Sequence, residues 1–123
     1  MPATQEQKEQ IAEQAYAMVQ FASNIIGGGA LPNWADLGKF EQTEYVDTVT
    51  FYEANQDNSP ELRHVAWLAI KQADGWVYGT TLDVSGKVHP LLRNWIYIGF
   101  VDKTLAGTFR DMVIPLLLAL PPA

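Results

Sequence analysis

Residues 64–79 read His64-Val65-Ala66-Trp67-Leu68-Ala69-Ile70-Lys71-Gln72-Ala73-Asp74-Gly75-Trp76-Val77-Tyr78-Gly79, and Asp83, Lys87-Val88-His89-Pro90-Leu91 and Trp95 follow. The apolar positions at the start of this stretch recur three and four apart, which is helical spacing, and Gly75 supplies the left-handed residue that stops a helix. Trp76-Val77-Tyr78 then has strand composition, and alternation predicts Trp76 and Tyr78 on one face with Val77 on the other. Gly79 and Ser85-Gly86 bracket a turn-rich loop, and Pro90 confines His89 to extended backbone. Three of the four tryptophans and both histidines fall within residues 64–95, so a binding site is to be sought there first.

Working outward, Ser59 reads as an N-cap and Pro60 as the first helical residue, giving a helix from Pro60 to about Asp74. Its periodicity predicts Leu62, Ala66, Ala69 and Ala73 facing inward, with Val65 and Ile70 on the flanks. Further upstream, residues 5–26 form an amphipathic helix with Ile11, Ala15, Met18, Ala22 and Ile25 on one stripe. Thr4 reads as its N-cap, and Gly27-Gly28-Gly29 as its end. Those glycines follow a helix and carry no Lys-Ser/Thr, so they do not read as a phosphate loop. Pro32–Leu37 is a connector in which Trp34 anchors the chain. Residues 40–54 mix strand composition (Thr48–Tyr52) with a helical period (Phe40, Val46 or Tyr45, Val49, Tyr52); helix is the reading taken, with Thr43 as its cap. Downstream, Trp95–Phe100 reads as a second short strand or an apolar loop. A last helix begins near Asp102 and carries Leu105, Phe109, Met112 and Val113, with a kink or restart at Pro115. Leu116, Leu117, Leu118 and Leu120 follow, then Pro121-Pro122.

The fold class predicted is mainly α with a small β element: about four helices plus a short aromatic strand or hairpin. Residues 1–123 make one domain, since the length leaves no room for two cores; N-terminal helices occupy 5–58 and the motif-bearing part 59–123. Apolar residues make up 48% and charged residues 18% of the chain, a composition that folds rather than stays disordered. With no cysteine, disulfide frameworks and thiolate metal sites are excluded, and a reducing compartment is expected. The polar start Met1–Glu6 does not resemble a secretory leader. The longest apolar run, 112–120, falls short of the roughly 20 residues of a membrane span. A soluble, cytoplasmic protein is expected, without membrane contact.

Net charge is −6, divided as −8 over residues 1–62 and +2 over residues 63–123. So acidic a chain lacks the broad basic face of a general nucleic-acid binder. The basic second half still allows a local pocket for a small anion.

The two histidines have no HExxH or facial-triad spacing, so no metal site is expected. Ser23, Ser59 and Ser85 lack a Gly-x-Ser-x-Gly setting, and no carboxylate pair stands out. No catalytic residue and no cofactor are assigned, and an uncharacterised hydrolase is the minor alternative. The aromatic group is the stronger signal. Trp67, Trp76, Tyr78, His89 and Trp95, with Lys71, Lys87 and Arg93, offer flat faces and cations suited to a planar anionic ligand. Equally, such rings can be the core of a small domain.

The pattern His64-x-x-Trp67, Lys71, Asp74-Gly75-Trp76-Val77-Tyr78-Gly79, Asp83, Lys87, His89-Pro90 and Phe109-Arg110 with Val113 resembles the RyR domain. That module is named for repeats of the ryanodine receptor and also occurs as small stand-alone bacterial and phage proteins. Ile11-Ala12, Trp34-Ala35-Asp36, Phe51-Tyr52-x-x-Asn55 and Pro60 extend the resemblance over roughly residues 11–120. Two places depart from it: Leu91-Leu92-Arg93-Asn94-Trp95, where the family continues His-Pro toward Pro-Tyr or Pro-Phe, and Ala106, where it carries an aspartate. The resemblance implies a mostly helical, non-catalytic domain that recognises a nucleotide-derived ligand, and for a phage member a role in host signalling or defence within the host cytoplasm. The alternative is a protein-interaction or virion-associated structural module. The terminal leucines, too many for one isolated helical turn to bury, either fold back on their own domain or pack against a second copy or another protein, and a homodimer is the arrangement expected.

Overall fold

The computed structural model describes residues 2–121; of the Pro121-Pro122 pair, the second lies outside them. Four helices, α1 (Gln5–Ile26), α2 (Lys39–Ala54), α3 (Pro60–Ala73) and α4 (Phe100–Leu118), are joined by loops carrying short strands β1 (Val77–Tyr78) and β2 (Val88–His89). Two 3₁₀ turns, Trp34–Asp36 and Trp95–Tyr97, precede α2 and α4. The mainly α class with a small β element is therefore the architecture observed.

Local chemistry sets the helix ends. Thr4 Oγ1 accepts the Gln7 backbone N–H at 3.1 Å while the Gln7 side chain accepts the Thr4 N–H at 2.9 Å, a closed capping box. Gly27 ends α1 with φ 89°, a conformation costly for any residue with a Cβ. Ser59 Oγ accepts the Leu62 N–H at 3.3 Å with Pro60 just inside α3. The cap of α2 is not Thr43, which lies within the helix, but Gly38, whose N–H donates to Glu41 Oε2 at 2.7 Å. A glycine has no capping side chain, so only the reciprocal carboxylate marks this end.

The core lies among α1, α2 and α4. α1 packs along α4, with α2 against both. Ile11, Ala12, Ala15, Tyr16, Val19 and Ser23 are the buried positions of α1; they meet Val46, Val49 and Tyr52 of α2 and Phe109, Val113 and Leu117 of α4. The stripe is thus rotated from the one expected at its far end, where Met18 and Ile25 are exposed. Trp34 anchors the connector against Tyr16 and Tyr45, ring centroids 5.7 and 6.1 Å away. Helix α4 starts at Gly99 and continues through Pro115, so the chain does not restart there. Leu117 is buried, and Leu116 and Leu120 pack on the core, leaving Leu118 exposed. The tail folds onto its own domain.

Helix α3 departs furthest from the sequence reading. It has no buried residue. Leu62, Val65 and Ile70 are 50%, 54% and 65% exposed, and Ala69 and Ala73 are exposed as well. The face turned inward carries Arg63, His64, Trp67 and Lys71 instead. The reason lies beneath it: Glu44 and Thr48 of α2 need polar partners, and Trp67, Lys71 and Arg63 provide them. Burying Glu44 under leucine and alanine would leave a charge uncompensated.

The strands pair in parallel, Val77 with Val88 and Tyr78 with His89, so they do not form a hairpin. A Cβ at Gly79 would collide with Val88 Cγ1, which makes that glycine a condition of the pairing. Trp95–Tyr97, where a short strand or an apolar loop is expected, is a 3₁₀ turn.

Candidate functional site

Antiparallel α2 and α3 diverge enough to leave a cleft of about 310 Å³ between them, closed on its remaining sides by the His89–Ile98 loop and by α4. Helix α2 contributes Phe40, Glu41, Glu44, Tyr45, Thr48 and Tyr52; α3 contributes Pro60, Arg63, His64 and Trp67. Leu82, His89, Leu91, Trp95 and Ile98 come from the loops, and Asp102, Leu105, Ala106 and Phe109 from α4. The volume sits at the lower end of the range for small-molecule sites, enough for one ring system with a substituent.

Aromatic rings form its walls. Trp67 stands edge-on to His89 at 5.0 Å and 5.6 Å from His64, which is in turn 5.6 Å from Trp95. Trp67 Nε1 donates to Glu44 Oε2 at 2.7 Å, and Lys71 Nζ lies 2.5 Å from Glu44 Oε1. Both oxygens of Glu44 are therefore engaged, and Trp67 is locked as a platform.

Two kinds of polar atom remain available. The first are the hydroxyls of Tyr45 and Tyr52, two residues that line the cleft. They make no hydrogen bond among the described residues, and since no buried side-chain nitrogen or oxygen among them lacks a partner, both hydroxyls are reached by solvent. Burial pushes both phenols up to about 12, with Glu41, Asp102 and Tyr16 adding to the effect at Tyr45. At neutral pH each is a neutral donor and acceptor.

The second is Arg63. Half-buried, it lies 5.3 Å over the Phe51 ring and donates from one terminal nitrogen to Thr48 Oγ1 at 3.2 Å. Burial pulls its pKa down while Glu44, Tyr52 and Asp47 pull it back, and the guanidinium stays charged. Among the described residues it forms no salt bridge. It is thus a partly desolvated cation with spare donors, near Glu44 and Asp47 but in salt-bridge contact with neither.

Of the eight residues expected from sequence, Trp67, His89 and Trp95 line the cleft. Lys71 and Trp76 form the layer behind it: Trp76 is buried against Phe40 at 5.2 Å, with Lys71 Nζ 5.2 Å over its ring. Tyr78, Lys87 and Arg93 lie outside. Arg93 stacks on Tyr78 and Tyr97 (4.7 and 5.4 Å) and donates to the Tyr78 hydroxyl at 3.1 Å. Lys87 takes φ 56° in the turn, and its Nζ caps α3 through the Asp74 carbonyl at 2.8 Å and the carboxylate at 3.4 Å. Tyr78 therefore does not join Trp76 in one pocket wall, because Arg93 holds it at the surface. Arg63, Tyr45 and Tyr52 are the residues the sequence reading missed. The one signal for Arg63 is that no other lysine or arginine occurs in residues 40–70.

A second, wider groove of about 450 Å³ separates α1 from α2, lined by Glu6, Glu9, Glu13 and Asp47 among glutamines. Lys39 is the one cation in its lining, and the groove shares no residue with the expected site. Among the described residues no group of three His, Cys, Asp or Glu side chains is placed to hold a metal ion. No helix among them is long and apolar enough to cross a membrane. The chain matches no family model, no curated protein and no solved structure.

Proposed function

We propose that this chain is a non-catalytic binding domain for a small planar anion of the nucleotide class, held in the α2–α3 cleft. The observation that carries the reading is Arg63, a half-buried guanidinium facing an aromatic cleft without a salt-bridging carboxylate among the described residues. Trp67 and Trp95 offer faces for a ring, and the Tyr45 and Tyr52 hydroxyls offer neutral hydrogen bonds beside it. The RyR resemblance favours the same class of ligand and belongs to the same proposal. So does a role in the cytoplasm, which for a phage-borne protein means sequestering a host signalling nucleotide.

Calorimetric titration with mono-, di- and cyclic nucleotides tests this. At least one should bind and, at 100 times its dissociation constant, add about 2.7 kcal/mol of stability. Arg63→Gln should weaken that binding roughly tenfold or more, since charge-assisted hydrogen bonds are worth about 1.5–3 kcal/mol. An unchanged affinity in that variant removes Arg63 from the site. The loop cations supply a contrast. Lys87→Gln combined with Arg93→Gln should leave affinity unchanged and cost less than about 1 kcal/mol of stability, as exposed ion pairs do. A tenfold loss there would return the anion site to the loop.

The exposed face of α3, with Leu62, Val65 and Ile70, favours a second reading as a protein-interaction module. In that case Val65→Lys abolishes partner binding and no nucleotide stabilises the domain.

A further inference from the structure

The two cleft histidines are both fixed by backbone groups, but only one is left with an N–H to donate. His64 Nε2 lies 2.7 Å from the Arg93 carbonyl oxygen. A carbonyl only accepts, so this nitrogen carries a proton and spends it there. His89 Nδ1 lies 3.0 Å from the Leu91 backbone nitrogen. A backbone N–H only donates, so Nδ1 is the bare, accepting nitrogen, and the proton of the neutral ring sits on Nε2. Burial lowers the pKa of His89, Lys71 and His64 lower it further, and Glu44 opposes them; the neutral ring prevails near pH 7. Its Nε2–H has no partner among the described residues. Since no buried polar side-chain atom among them is left unpaired, this N–H is reached by solvent, and its ring lines the cleft.

Its place along the cleft is informative. Thr48 faces Arg63, and Glu44 faces Trp67. Arg63 and Trp67 are therefore one turn of α3 apart, about 6 Å of rise. His89 lies on the far side of Trp67 from Arg63, 6.3 Å from Phe40 at the start of α2. The order is cation, aromatic platform, donor.

We infer that His89, held as its Nε2–H tautomer, is a specificity-determining donor that selects ligands with an acceptor nitrogen on the ring edge away from the anionic group. This inference rests on the reading of the cleft as a nucleotide site. It narrows the ligand to acceptor-bearing heteroaromatic anions, such as purine nucleotides, and disfavours carbocyclic aromatic acids of the same size.

The experiment uses the full chain in two arms. In the first, long-range proton–nitrogen NMR spectra of the free protein report the tautomer of each histidine. The Nε2–H form is expected at His89, and the Nδ1–H form there overturns the inference. In the second, affinities are measured for adenosine and guanosine 5′-monophosphates, for the 1-deaza, 3-deaza and 7-deaza analogues of the first and for the 3-deaza and 7-deaza analogues of the second. Each analogue exchanges one ring nitrogen for C–H at constant shape; 1-deaza-adenosine monophosphate lacks the acceptor on the edge away from the phosphate. One exchange should cost roughly three- to tenfold, the worth of a single hydrogen bond, and the difference should vanish in His89→Phe. His89→Leu takes its place where the phenylalanine variant does not fold. Parent nucleotides that bind while every analogue binds equally well overturn the inference and leave the binding function standing. If neither parent nucleotide binds, the inference fails together with that function.

Discussion

Replacing Trp76 with alanine should destabilise the domain by about 3–5 kcal/mol, the range for deleting a buried large aromatic side chain. Trp76 is 6% exposed and joins three parts of the fold. It stacks on Phe40 at the start of α2, lies under Lys71 near the end of α3, and sits 6.3 Å from His89 of β2. Its loss removes the platform that holds the α3 layer against α2, and with it the neighbourhood of Glu44. Urea denaturation should show the fall in midpoint, and Trp76→Phe should recover most of it. Tyr78→Ala provides the counterpart: its ring is 47% exposed and packs chiefly on Arg93, so little stability should be lost. A large loss at Tyr78 with little at Trp76 would reverse the assignment of core and surface.

Truncation after Ile114 should have the second large effect. It removes Leu117, which is buried in the core, and Leu116 and Leu120, which pack on it. Full burial of one leucine is worth about 1.5–3 kcal/mol, so one buried leucine and two counted as half-buried are together worth roughly 3–6 kcal/mol. That is a large part of the 5–15 kcal/mol that stabilises a typical domain. Light scattering should give the full and truncated chains each the mass of a monomer while the melting temperature falls steeply. A full-length dimer that truncation converts to a stable monomer would instead place the leucines in an interface. Leu118, 65% exposed, is the only one of the four available for such a contact in the folded chain.

These effects separate what the sequence revealed from what it concealed. Helix bounds were legible because their signals are local: Thr4 and Ser59 cap through their own side chains, and Gly27 and Gly75 accept positive φ. The orientation of α3 was not. Periodicity identifies the apolar face of a helix, but what lies beneath decides which face turns inward. Under α3 lie Glu44 and Thr48, far from their partners in sequence: the contacts Trp67–Glu44 and Arg63–Thr48 span 23 and 15 residues. The cleft was half legible for the same reason. Trp67, His89 and Trp95 belong to one motif-rich stretch, whereas Tyr45, Tyr52 and Phe109 reach it from helices whose periodicity marks them as core. Lys87 and Arg93 were misleading because a basic residue near an aromatic in sequence need not face the same cavity. The turn at Lys87 and the stack on Tyr78 direct them elsewhere.

The four tryptophan indole N–H groups allow the binding site to be located directly. Proton–nitrogen NMR spectra recorded during a nucleotide titration should show the Trp67 and Trp95 signals moving together and saturating. Trp34, on the opposite side of Tyr45 against Tyr16, should stay in place. Saturable shifts confined to Trp34, or no shift in any indole across the nucleotide panel, would contradict the assignment of the α2–α3 cleft as the binding site.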